Sequence, residues 1–183
     1  FRLEGFDLKG GPIKAALGTF SGSGFSFTPT LKVLAEAFGS GNIETAIAAN
    51  PLKLIPKLGS IKMSGLAIEA PDDKTKDAAG KPEIIKLGLR ASEITVGAQK
   101  DGIPTAIKVS FDGLSMPISP REKRDGLKDI AALGYKGIDI SMGVAGAWAE
   151  AKNQFDISNL SFSGVDMGSI GISALLGNIT KDV

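Results

Sequence analysis

Apolar and polar residues alternate along most of this chain, and in four places the alternation is built around a glycine. The recurring pattern is apolar-x-apolar-x-Gly-apolar-x-apolar. Its copies begin at Phe1 (FRLEGFDL), Ile61 (IKMSGLAI), Val109 (VSFDGLSM) and Leu160 (LSFSGVDM). Alternation with a period of two is the signature of a half-buried strand. Strict alternation would place Ile61, Met63 and Gly65 on one face of a strand and Leu66 and Ile68 on the other. The same parity change occurs in every copy, and glycine is the residue expected at a bulge that resets it. The pattern therefore predicts a strongly coiled antiparallel sheet bent at Gly5, Gly65, Gly113 and Gly164.

Between these copies the punctuation changes. Gly10-Gly11 marks a turn after the first strand, PIKAALGTF continues as strand, and a short GFSF follows. Thr28-Pro29 opens a helix by N-cap and first-turn proline, with Leu31, Leu34, Ala35 and Phe38 on one apolar face and Gly39 at its end. Residues 43–58 read as a second helical stretch interrupted by Pro51 and Pro56. A strand over 60–70 leads to a polar loop, 71–82. Strands at 83–98 and 103–118 flank Asp101-Gly102, a hairpin signal. Ser119-Pro120-Arg121-Glu122 has the form of a capping box, predicting a helix over 120–133 with Leu127, Ile130, Ala131 and Gly134 inward. Strands follow at 136–149, 154–167 and 169–177.

Together these elements predict an α+β fold, a strongly coiled antiparallel sheet packed around two or three helices in a single domain, 1–183. LKLIPKLG (52–59) resembles LKDIAALG (127–134), 75 residues on, which suggests a helix–strand–strand duplication with units 43–118 and 119–183. A competing register sets LGLRASEITVG (87–97) on LGYKGIDISMG (133–143).

Composition narrows the chemistry more than the fold. Of 183 residues, 43% are apolar and 22% charged, enough to bury a core. The net charge of +1, one Trp and one Tyr leave neither the basic stripe nor the stacking platform of a nucleic-acid binder. Without His or Cys, the chain alone can form no Ser-His-Asp triad, Cys-His pair or Cys/His zinc site. Phosphate-binding and serine-nucleophile motifs are missing as well. Asp72, Asp73 and Asp77 form the densest acidic group, but Lys74 and Lys76 interleave with them as in a solvated loop. The reading is therefore of a non-enzymatic protein with no catalytic residue, metal site or cofactor. No apolar run reaches the roughly 18 residues of a membrane-spanning helix. The chain starts within a strand pattern, without a leader sequence, as expected for a piece of a longer precursor.

What remains is apolar binding. Met63, Phe111, Met116, Met142, Trp148, Phe155 and Phe162 all lie on strand patterns, together with Met167. They either fill a closed core or line a groove for lipid or another apolar ligand; Met suits both. The strands IKMSGLAI, VSFDGLSM and LSFSGVDM, with LGYKGIDISMGVAGAW and FDISNLSFSGVDMGSIGIS, resemble those of large AsmA-like bacterial envelope proteins. That resemblance implies antiparallel strands stacked into a curved sheet with an apolar inner face, a Gram-negative periplasmic or envelope location and phospholipid handling. It carries over no individual functional residue. A structural or protein–protein interaction module of an envelope assembly is the alternative, with a protein partner in place of lipid.

Overall fold

The computed structural model describes residues 1–40, 48, 51–77, 79–97, 99–100, 103–119, 121–122 and 124–179, without the side chains of 40, 52, 53 and 73–75. In chain order the main elements are β1 Arg2–Gly10, β2 Ile13–Ser23, α1 Thr28–Ser40, β3 Ser60–Lys76 and β4 Pro82–Val96. After these come β5 Gln99–Lys100, β6 Ile103–Pro104, β7 Ala106–Pro117, α2 Leu127–Ala132, β8 Gly137–Ala149, β9 Gln154–Gly164 and β10 Gly168–Leu176. Eight strands form one antiparallel sheet in the order β1-β2-β3-β4-β7-β8-β9-β10, each beside its neighbour along the chain apart from the small β5-β6 hairpin.

This corrects the expected α+β class. Strand makes up 63% of the described residues, and the sheet does not wrap two or three helices. The helical signals are weaker than their local sequence suggests. Ser119 Oγ does accept a hydrogen bond from the Arg121 N–H at 3.2 Å. Glu122, however, does not complete a capping box; its carboxylate binds the Arg124 backbone N–H at 2.9 Å and the Arg124 side chain. Gly126, at φ 81°, then breaks the chain direction, so that only the six residues of α2 are helical, without a side-chain cap. In α1 the buried residues are Val33 and Ala37, while Leu31 and Phe38 are exposed. The helix is apolar nearly all round, and the stripe two residues on from Leu31 is the inward one. Of the second helical stretch, residues 43–47, 49 and 50 lie outside the described residues; Ala48 is helical, and a short 3-10 turn follows at Pro51–Leu54. Asp101 and Gly102 lie outside them too, although Gln99↔Pro104 and Lys100↔Ile103 pair on either side.

The polar loop expected at 71–82 is shorter than its composition suggests. β3 runs on to Lys76, pairing Pro71 with Ile84 and Asp72 with Glu83. The reversal is confined to a turn in which Asp77 Oδ1 accepts hydrogen bonds from the N–H groups of Ala79 and Lys81 at 2.8 and 2.9 Å.

The glycines lie on one line across the sheet. The ladder skips Gly5 opposite Gly18, Gly65 opposite Arg90, and Arg90 opposite Gly113, with the register unchanged on either side. The β2–β3 ladder has its gap there too, where Gly18 faces Gly65. Gly5, Gly65 and Gly113 take φ of 64°, 67° and 62°, a region from which L side chains are largely excluded. The consequence is a coherent transverse crease, at which each strand turns two successive residues to the same face. Arg90 demonstrates this. Its guanidinium binds Asp112 at 2.9 Å and Asp139 at 3.3 Å. Asp139 pairs with Ser115, and residues 112 and 115 would occupy opposite faces under strict alternation. Gly164 behaves differently from the other three. It ends β9, and the left-handed residues are Asp166 in the following turn and Gly168 at the start of β10, so the fourth copy stops at its glycine as the chain turns back.

One face of the sheet is polar and laced with ion pairs. Glu69 bridges Lys14 and Lys86, and Glu93 bridges Lys62 and Lys108 at 3.0 and 2.8 Å. Hydrogen bonds from Lys108 and then Lys62 pull the Glu93 carboxyl from its ordinary 4.5 down to about 2, against the opposing effect of burial. A carboxylate with a depressed pKa stabilises the fold fully above its unfolded value and loses that contribution as pH falls toward its folded value. The melting temperature should therefore decline as pH drops from about 4.5 to about 2, and Glu93→Gln should flatten part of that decline. Thermal melts of the two proteins across this window check it.

Candidate functional site

The opposite face is built from apolar rows that run across the strands, since directly paired residues in an antiparallel ladder project on the same side. One row passes through Leu3, Phe20, Met63, Ser92, Phe111, Met142, Phe162 and Ile170, one residue from each of the eight strands. The next passes through Gly22, Ile61, Ile94, Val109, Val144, Leu160 and Ile172. Phe1 extends it, exchanging backbone hydrogen bonds with Gly22. Its ring lies over Gly22 and sits 5.7 Å from that of Phe20. Beyond the crease the same face continues with Leu8, Ala15, Ile68 and Leu87.

These rows gather the sequence-predicted apolar residues. Met63, Phe111, Met142 and Phe162 share one row. Met116 pairs with Ile138 on the far side of the crease. Trp148 pairs with Phe155, and Phe155 with Leu176, at the other end of the sheet. A bulge in β9, where Ala145↔Asn159 is followed by Gly146↔Ile157, keeps Phe155 and Ile157 on the apolar face. The Phe155 ring covers Gly146, where an added Cβ would lie 3.0 Å from Cζ. The indole N–H of Trp148 is buried, with no acceptor among the described residues. Sequence reasoning missed Val144, Leu160, Ile170 and Ile172, which carry much of the exposed surface. The signal that could have found them is the pairing register, which single-strand patterns do not contain.

Among the described residues, little covers this face. Val33, Ala37, Leu89 and Ile118 are the buried hydrophobic residues among those described, whereas Val144, Leu160 and Phe162 are 43–45% exposed. The chain exposes 12027 Å², against about 8300 Å² for a compact protein of its mass. A single-layer sheet explains the difference, because one layer cannot bury its own apolar face.

Two other sites were candidates for chemistry. A cleft of about 760 Å³ lies by α2 and the β9–β10 turn, lined among others by Met116, Tyr135, Lys136, Asp139 and Val165. Two of its polar side chains have structural partners: Tyr135 Oη donates to the Asp166 carbonyl at 3.1 Å, and Asp139 holds Arg90. Beside it, the Glu122 carboxylate, almost fully buried, clamps Arg124. Arg124 also approaches the buried Asp72 at 3.9 Å. The Arg124 guanidinium is pushed further up, chiefly by its hydrogen bond to Glu122. This cluster ties Glu122 and Arg124 to β3. Among the described residues no three acidic side chains converge as metal ligands, and no helix is long and apolar enough to cross a membrane. Comparison with protein families, curated proteins and solved structures gave no match.

Proposed function

We propose that this chain is a non-enzymatic binding domain whose uncovered apolar face holds the acyl chains of a phospholipid. The observation that carries the reading is the pair of cross-strand apolar rows, the first crossing all eight strands and the second crossing seven and extended by Phe1, both substantially exposed. Seven strand spacings of ~4.8 Å make each row about 34 Å long. That is comparable with the ~30 Å hydrocarbon thickness of a bilayer, and ample for one acyl chain. Ser92 is the one polar side chain in the two rows, so an occupant with many polar groups would desolvate them without partners, whereas a hydrocarbon chain requires none. The opposite, ion-paired face suits contact with water. The AsmA-like resemblance of the strands supports a place in the periplasm or envelope of a Gram-negative bacterium, where phospholipid is abundant.

Native mass spectrometry of the protein purified from a Gram-negative host tests this. The expected result is a population heavier by one or more phospholipids, identifiable by extraction. A purely ligand-free mass that stays unchanged after incubation with phospholipid vesicles would overturn the reading.

A further inference from the structure

The two edges of the sheet are treated unequally. β1 carries Arg2, Glu4, Asp7 and Lys9 within nine residues, the kind of charge that discourages strand addition. β10 (GSIGISALL) carries neither a charge nor a proline, and among the described residues only β9 pairs with it. It is regular too, because the bulge of the β9–β10 pair lies on the β9 side, where Leu160 is followed in the ladder by Ile157. Ile170 and Ile172 are 61% and 51% exposed. A regular, uncharged, apolar edge is a template for another strand.

The sequence of that edge specifies what fits it. Ser169-Ile170-Gly171-Ile172-Ser173 reads the same in both directions. If two copies meet antiparallel about a two-fold axis at Gly171, Ile170 of one lies opposite Ile172 of the other. Ser169 then lies opposite Ser173, and the two Gly171 residues face each other. Ile170 and Ile172 are also the terminal residues of the two long apolar rows, so each row would run directly into the other row of the second copy. An isologous pair of this kind closes on itself, whereas β10 on β1 would be head-to-tail and open-ended.

We propose that β10 pairs with β10 of a second copy of this chain about Gly171, joining two eight-stranded sheets into one with a continuous apolar face. The proposal rests on the edge and its palindrome and is independent of lipid binding.

The chain has no cysteine, so a single introduced one reports on this contact alone. Opposed residues in an antiparallel pair have Cα atoms about 4.5 or 5.5 Å apart, within the roughly 4.4–6.8 Å that a disulfide spans. A Cβ added at Gly171 meets nothing within 4 Å, and the same holds at Gly10 at the end of β1, which makes Gly10→Cys a matched control. Light scattering should give the unmodified protein a mass roughly twice 18.9 kDa, and Ile172→Lys should halve it. Under mild oxidation Gly171→Cys should form a covalent dimer much faster than Gly10→Cys. A monomer at every concentration would overturn the proposal. So would a dimer in which the two cysteine variants cross-link at equal rates, because the copies would then meet elsewhere.

Discussion

Gly113→Ala should destabilise the fold by about 3 kcal/mol, above the roughly 1–2 kcal/mol that Gly5→Ala costs at the other end of the same crease. Both glycines are left-handed, at φ 62° and 64°, and an L residue there costs roughly 1–2 kcal/mol. The surroundings differ. An added Cβ at Gly5 meets nothing within 4 Å, whereas at Gly113 it would lie 2.7 Å from Arg90 Cζ and 3.0 Å from Arg90 Cβ. The guanidinium would have to leave Asp112 and Asp139. The lost ion pairs add little, because the Arg90 side chain is largely exposed; displacement of the Arg90 stem from its place over the crease adds more. Urea denaturation of the two variants measures the difference. Equal losses at both positions would mean that the crease depends on backbone conformation alone.

The second large effect concerns binding. Val144→Asp should lower phospholipid uptake by at least about tenfold, since an ionised carboxylate set in a hydrocarbon contact loses its hydration without gaining a partner. Val144 stands in the middle of its row, between Val109 and Leu160, and is exposed enough that the fold should tolerate the change. Val144→Thr, similar in shape, should retain most of the uptake. Native mass spectrometry after incubation with vesicles reads all three proteins, and circular dichroism confirms that each is folded.

The parity change in IKMSGLAI and VSFDGLSM was legible in the sequence because it is a local property of one strand. It predicted a reset of alternation at Gly5, Gly65 and Gly113, and Arg90 bridging Asp112 and Asp139 shows that reset directly. Two further features could not be read in the same way. The first is that Gly18 and Arg90 complete the crease, a fact contained only in the register between strands. The second is coverage: alternating apolar residues look the same whether a helix packs on them or nothing does. That ambiguity led the helical signals at Thr28-Pro29 and Ser119–Glu122 to suggest a sheet packed around helices. In the fold, Glu122 turns to Arg124, α2 spans six residues, and the apolar side of the sheet stays open. Met63, Phe111, Met142 and Phe162 could be nominated one at a time; their alignment in one row needed four ladders.

The central claim, that hydrocarbon occupies this face, is tested most directly through Trp148, the single tryptophan of the chain, which is paired with Phe155 at one end of the rows. Bromine on an acyl chain quenches indole fluorescence only at near contact. Phospholipid brominated along its acyl chains should quench Trp148 in a saturable manner, its unbrominated counterpart should not, and Val144→Asp should weaken the quenching. Emission that is the same with both lipids at saturating concentration would contradict the account.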